Sequence, residues 1–212
     1  MRNLIMVFFL LSSVALFAKE ELFVSATYAD LKPSGLSSEG ILGADISFKA
    51  DKKQGALLYY LDLRARYSRG DIQTISNTFK ELEGVIGVVY AMNNDLSFSG
   101  GLGIGSFRWE IGDFNNINWH PFLVDLHLGY EPMKSHSIDL RYRFKYSSHI
   151  NNETIVNGLE GKLFGNEIGI DYLYNFYPHY DLLLGYEYTQ YNNNSEELFH
   201  HHLIKLGIGY RF

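Results

Sequence analysis

The sequence predicts an all-β protein, an antiparallel up-and-down barrel of about ten transmembrane strands, with eight or twelve as the neighbouring possibilities. Two observations predict this fold. Apolar and polar side chains alternate with a period of two along most of the chain, which is typical of strands whose two faces meet different environments. The alternating segments run for about 10 to 14 residues, enough for a tilted membrane crossing, whereas strands of soluble sandwiches have about 5 to 6.

The N-terminal residues 1–18 are predicted to form a secretory signal peptide, and residues 19–212 a single barrel domain. Arg2 provides a short positive region before an apolar stretch, and cleavage is expected after Ala15 or Ala18. The apolar stretch is interrupted by two serines and is shorter than the roughly 20 residues of a transmembrane helix. Removal of the leader is therefore favoured over an uncleaved membrane anchor.

The ten alternating segments follow the leader in order. The third sets leucines and tyrosines against Asp62, Arg64 and Arg66, and the seventh reads IDLRYRFKY from Ile138, with a charge at every second position. The last alternates up to Phe212. Tight turns alternate with longer connections rich in Asn, Gly and Ser at 68–78, 111–118, 147–162 and 192–198, which are predicted to be outer loops. The predicted strands are 21–31, 40–50, 55–68, 79–92, 95–111, 118–130, 135–147, 164–177, 180–191 and 199–212.

Composition excludes several classes of function. The net charge is -6 and no basic cluster is present, so nucleic acid is not an expected partner. The absence of cysteine excludes disulfides, thiolate metal sites, thiol nucleophiles and cysteine-linked lipids.

The charged face of the strands is predicted to form the barrel interior, because the apolar face must meet lipid. Acidic and basic residues on this face are nearly equal in number, which favours cross-strand ion pairs that fill the lumen. A ten-strand barrel is slightly larger than the eight-strand size that side chains fill and much smaller than a porin. The predicted charge network comprises Asp45, Lys49, Asp62, Arg64, Arg66, Glu81, Glu83, Asp125, Asp139, Arg141, Arg143, Lys145, Glu167, Asp171, Glu187, Lys205 and Arg211.

The C-terminal segment resembles the closing strand of Gram-negative outer-membrane β-barrel proteins, and the nearest general likeness is to the small OmpA-like and opacity-like barrels. The resemblance implies export to the outer membrane, contact with its lipid and lipopolysaccharide, and recognition by periplasmic chaperones and the barrel-assembly machinery. The resemblance does not indicate an extracellular ligand. The residues that carry it, and that the assembly machinery would read, are Ile204, Leu206, Ile208, Tyr210 and Phe212.

Two narrower resemblances would imply an enzyme. The layout around 138–146 is similar to that of omptin proteases, but 68–71 and 148–153 lack the Asp-x-Asp and Asp–His pairs of that family. Lipid A deacylases use a His-x-Ser arrangement, whereas here two serines precede His149, with Glu153 nearby. No catalytic residue is transferred from either family.

A histidine run is the remaining local feature. His200 and His202 would share one face of a strand and could bind a divalent ion with Glu196 or Glu197. A polar rim is the favoured interpretation, so no metal or cofactor is predicted. The leading hypothesis is a non-catalytic barrel with a structural or surface-interaction role. The alternatives are a narrow, porin-like channel for small solutes or ions and an outer-membrane enzyme.

Overall fold

The computed structural model describes residues 19–33, 39–54, 57–72, 75–112, 115–152, 161–193 and 196–212. The predicted signal peptide lies outside these ranges. Within them, no helix has the length and apolar character needed to cross a membrane.

Twelve strand segments form one antiparallel sheet that closes on itself, since β1 pairs with β12. The segments are β1 (Lys19–Pro33), β2 (Glu39–Gln54), β3 (Leu57–Ile72), β4 (Ile75–Ala91), β5 (Leu96–Ile111), β6 (Asn115–Trp119), β7 (Phe122–Met133), β8 (His136–Ser147), β9 (Ile150–Asn152), β10 (Leu163–Tyr177), β11 (Tyr180–Asn193) and β12 (Glu196–Arg211).

These segments occupy ten positions around the barrel, which confirms the predicted fold class. β6 and β7 both pair with β5, and β9 continues β8 and pairs with β6. The predicted strand 118–130 is therefore interrupted, at His120 and Pro121. Proline cannot donate to a strand ladder, so a break at this position is expected on physical grounds. The Pro121 carbonyl instead accepts a hydrogen bond from Gly105 N at 2.8 Å.

The connections at the outer end are shorter than predicted, because strands extend through much of the predicted loops. β3 and β4 remain paired up to Ile72 and Ile75, and β11 and β12 are separated by residues 194–195 alone. The added strand residues keep the inward and outward alternation. Ile72 and Phe199 are buried inside the barrel, and this burial stabilises the extra pairing.

The outward face of the barrel is apolar. Leu42, Ile86 and Ile104 are 69%, 66% and 63% exposed to solvent in the isolated chain, and each lies on a different strand. An exposed apolar surface of this extent is not a feature of water-soluble monomers, and it is the surface a lipid bilayer covers. Other outward members are Ile46, Leu82, Leu102, Leu140, Ile168, Ile170, Leu184, Ile204, Leu206 and Ile208.

Gly101 faces the interior, where it leaves no space for a side chain, whereas its neighbour Gly100 faces outward. A methyl group at Gly101 would lie 2.8 Å from Val85 Cγ1 and 2.9 Å from the Ile86 carbonyl oxygen. We expect Gly101→Ala to lower the free energy of unfolding by about 1–3 kcal/mol through overpacking. At Gly100 the nearest atom, Leu126 Cδ2, is 3.5 Å away, so Gly100→Ala is the matched control. Urea unfolding in detergent measures both, and equal effects would contradict this assignment of faces.

Candidate functional site

Two layers of side chains fill the middle and the outer end of the barrel interior. The first, the central network, consists of five cations and seven carboxylates: Arg64, Arg66, Arg141, Arg143, Lys145, Asp45, Asp62, Glu81, Glu83, Asp125, Glu167 and Glu187. The second, the aromatic plug, lies toward the outer end and consists of Phe79, Phe107, Trp109, Trp119, Tyr191 and Phe199. Aliphatic side chains from β1, β2, β6, β9, β10 and β12 pack around the plug.

Arg64 connects opposite walls of the barrel. Its guanidinium donates to Glu167 on β10 at 3.2 Å and to Glu187 on β11 at 3.0 Å, although β3 lies on the far side from both strands. It also contacts Glu81 at 3.3 Å and Glu83 on the adjacent β4. Arg64 is 3% exposed, so these contacts cross a lumen from which water is largely excluded. Such charges are tolerated inside a protein only when they are paired and hydrogen-bonded.

Arg143 and Lys145 project from β8 and reach the wall formed by β3 and β4. Arg143 donates to Asp125 Oδ1 at 2.7 Å, to Asp62 Oδ2 at 3.1 Å and to Glu83. The Lys145 ammonium contacts three carboxylates, from Glu81, Glu83 and Glu167, at 2.8, 2.8 and 2.7 Å. These carboxylates also have the spacing of a metal site, but the ammonium group occupies the position of a cation between them.

Arg66 and Arg141 join the network from the two sides of Glu187. Arg66 donates to Glu187 Oε1 at 2.7 Å, and Arg141 donates to Glu187 Oε2 at 2.8 Å. Arg66 is also 3.2 Å from Asp45 on β2. The network therefore links β2, β3, β4, β7, β8, β10 and β11 through side chains alone.

The remaining predicted network residues lie closer to the periplasmic end. Lys205 contacts Asp171 at 2.7 Å, and Lys49 contacts Asp139 at 3.5 Å. Arg211 lies apart from the central network, where it pairs with Asp181 and approaches Glu21 at 3.5 Å. The structure thus places Arg211 at the rim, because β12 ends there.

The aromatic plug has no counterpart among the predicted functional residues. Phe107 stacks on Trp119 with ring centroids 5.3 Å apart, and Phe199 packs against Tyr191 at 4.7 Å. Asn77 Oδ1 accepts a hydrogen bond from Trp109 Nε1 at 2.9 Å, which satisfies the buried indole. The sequence does contain a signal for the plug. Phe107 and Phe199 are separated by even numbers of residues from interior residues of the same strands, so their side chains point to the same face.

Two small cavities adjoin the layers. A cavity of about 40 Å³ is lined by Arg66, Phe107, Trp119, Tyr191 and His201 among others. A second, of about 20 Å³, lies near Asp62, Arg141 and Lys205 toward the periplasmic end. A water molecule needs about 10–15 Å³ by the same measure, so each cavity accommodates at most a few waters.

The histidines that suggested a metal or catalytic site do not form a single group. His200 and His202 share one face of β12, as predicted, with ring centroids 5.8 Å apart. His200 and His202 are on the outer surface, where they contact Glu197 Oε1 and the Tyr186 hydroxyl, both at 2.6 Å. His201 turns inward and lies 3.8 Å from Glu187. His149 is exposed, and its carbonyl accepts a hydrogen bond from Ser147 Oγ at 2.7 Å. Glu153 lies outside the described residues.

Comparison with solved structures finds similar folds. The translocator domain of the autotransporter NalP from Neisseria meningitidis aligns with 100% of this chain and 95% of its own length, with a TM-score of 0.55 and 9% sequence identity. The β-domain of the Bordetella autotransporter BrkA aligns with 90% of this chain and 98% of its own, with a TM-score of 0.50 and 10% identity. The chain has the fold of Gram-negative outer-membrane β-barrels. This confirms the predicted resemblance to Gram-negative outer-membrane β-barrels, and together with the apolar outer face it supports the predicted localisation.

A weaker similarity is to the Escherichia coli outer-membrane protease OmpT, with a TM-score of 0.47 and 10% identity over 92% of this chain and 96% of that protein. No protein-family model matches the chain, and no curated protein matches it in sequence. At these identities the similarities concern the fold.

Proposed function

We propose that this protein is a sealed, non-catalytic outer-membrane barrel whose role is structural or lies in contacts made by its outer surface. The observation that supports the proposal is the filling of the lumen. Arg64 and Lys145 connect opposite walls through buried carboxylates, and the aromatic plug closes the lumen above them. A channel would instead require a continuous wet path along the barrel axis.

Solute uptake by liposomes tests the sealed lumen. Purified protein refolded into liposomes is expected to give the same swelling rate in arabinose as protein-free liposomes, and a porin serves as the positive control. Swelling that increases with the amount of protein would support the channel alternative. The folded state of the protein in the same vesicles is checked by heat-modifiable migration in gels. This control excludes a failure of insertion.

Incubation with substrates tests the non-catalytic part of the proposal. We expect folded protein to leave both a peptide library and lipopolysaccharide unchanged, as measured by mass spectrometry. Cleavage of a peptide bond, or loss of an acyl chain from lipid A, would overturn this part. Substitution of His149, which is exposed near the outer rim, would then show whether the activity depends on this residue.

We also propose that the last strand is the segment read by the assembly machinery. Ile204, Leu206 and Ile208 point outward along β12, and the Phe212 backbone N–H donates to the Glu20 carbonyl at 3.0 Å. The Phe212 side chain is 66% exposed, so it is available to a partner and contributes little to the interior.

Deletion of Phe212 is therefore expected to reduce the amount of barrel assembled in cells several-fold, while refolding in detergent is nearly unchanged. Phe176→Ala is the matched control, because Phe176 is likewise exposed, at 51%, near the periplasmic end of its strand. Equal losses in cells for the two variants would contradict a specific terminal signal.

A further inference from the structure

A group of three side chains in the periplasmic half of the lumen has the composition of a metal site. Asp62 on β3, Asp125 on β7 and His127 on β7 each offer one ligand atom, and these atoms lie within 4.8 Å of one another. Carboxylate oxygen combined with imidazole nitrogen is a donor set suited to zinc and related divalent transition metals, whereas magnesium and calcium prefer oxygen alone.

Arg143 binds only one oxygen of each aspartate. Its guanidinium binds Asp125 Oδ1 and Asp62 Oδ2. The second oxygen of Asp125, Oδ2, lies 2.6 Å from His127 Nε2 and accepts a hydrogen bond from the Tyr60 hydroxyl at 3.2 Å, so an ion bound here would replace the proton shared by Oδ2 and Nε2. The second oxygen of Asp62, Oδ1, is buried and has no hydrogen-bond partner in the part of the chain that the structure describes. Asp62 is 6% exposed and borders the cavity of about 20 Å³, so this oxygen is open to a small ligand, and an unpaired buried carboxylate oxygen is costly.

His127 is oriented as metal-binding histidines are. Asp139 Oδ2 lies 2.9 Å from His127 Nδ1, on the side of the ring away from Asp125. A carboxylate at this nitrogen holds the other nitrogen toward the ion and increases its basicity. The His127 and Asp139 side chains are 10% and 19% exposed, so the group is accessible from the lumen.

The charges around the group leave room for a further cation. Three carboxylates, from Asp62, Asp125 and Asp139, are near two cations, Arg143 and Lys49. Arg143 is also shared with Glu83, so negative charge is in excess at this group when His127 is neutral. Either a proton on His127 or a bound cation balances this excess, and a cation would also bind Asp62 Oδ1.

We propose that Asp62, Asp125 and His127 bind one divalent transition-metal ion of the zinc class, with Asp139 positioning the imidazole. Arg143 holds the two aspartates in place, and these three residues also belong to the central network. The ion would brace β3 against β7 in the lower half of the lumen, where ion pairs are fewer. The site is independent of whether the lumen conducts, so the liposome assays do not bear on it.

Calorimetric titration of chelator-treated, refolded protein with Zn²⁺ tests the proposal, and Co²⁺ serves as an optical probe of the ligands. We expect one site per chain. His127→Gln and Asp62→Asn are each expected to weaken binding at least tenfold, and Asp139→Asn about 10–100-fold as an outer-shell change. The matched control, His200→Ala/His202→Ala, removes two surface histidines and is expected to leave this site unchanged.

Two results would overturn the proposal: parent protein that binds no Zn²⁺, and binding that survives His127→Gln but is lost in the surface double variant. Nitrogen NMR of the His127 ring in the parent protein tests the proposal even if the lumen variants do not fold. The proposal predicts that Zn²⁺ shifts the Nε2 resonance of His127. A resonance that stays unchanged, with protons on both ring nitrogens, would instead identify His127 as an imidazolium that bridges Asp125 and Asp139.

Discussion

Replacement of Arg64 by alanine is expected to lower the free energy of unfolding by about 3–5 kcal/mol, because it leaves several buried carboxylates without their shared cation. Arg64 contacts Glu83, Glu167 and Glu187, and these glutamates are 2%, 0% and 0% exposed. Water therefore cannot replace the guanidinium without opening the barrel. Urea unfolding and refolding in detergent micelles measures the loss.

Lys80→Ala is the control for the Arg64 prediction. Lys80 also forms an ion pair, with Glu110 at 2.7 Å, but its side chain is 47% exposed on the outer surface. An exposed pair contributes about 0–1 kcal/mol, so this variant should unfold nearly as the parent does. If Arg64→Ala and Lys80→Ala have the same small effect, the central network does not stabilise the barrel.

Opening the lumen is expected to require the removal of side chains from both the central network and the aromatic plug. Arg64→Ala/Glu83→Ala removes a cation with one of its carboxylates, and Phe107→Ala/Trp119→Ala removes a stacked pair from the plug. Because the layers lie in series along the axis, each double variant alone should remain closed to arabinose in the swelling assay. The variant with all four substitutions should admit it, at a rate well above that of protein-free liposomes.

The separate double variants are the controls for this prediction. If Phe107→Ala/Trp119→Ala alone opened the lumen, the central network would not be a seal. If the four substitutions together left the vesicles closed while the protein remained folded, side chains outside both layers would fill the lumen.

Alternation alone was sufficient to predict the ten strand positions and their faces, because a closed antiparallel barrel places every second residue inside. It was also sufficient to place Arg64 and Arg143 in the lumen. It could not predict their partners. Arg64 meets Glu167 at a separation of 103 residues, and that contact depends on the height of each residue along the axis and on its position around the barrel.

The aromatic plug was missed because the interior was identified with the polar face. Trp109 and Phe199 lie at every-second positions that continue the interior glycines of β5 and the interior lysine of β12 toward the outer end, so the alternation already indicated that they face the lumen. Pro121 likewise marked a break within the predicted strand 118–130. The short outer connections were not predicted, because Asn, Gly and Ser are as frequent in tight hairpins as in longer loops.

The most direct test of the sealed lumen is the single-channel conductance of the unmodified protein in a planar bilayer. The protein is expected to give no steady current, because the central network and the aromatic plug fill the lumen, and the cavities beside them, of about 40 and 20 Å³, each hold at most a few waters. The variant with all four substitutions provides the conducting control in the same bilayer. A stable current from the unmodified protein, proportional to voltage, would contradict the sealed barrel and identify the protein as a narrow channel.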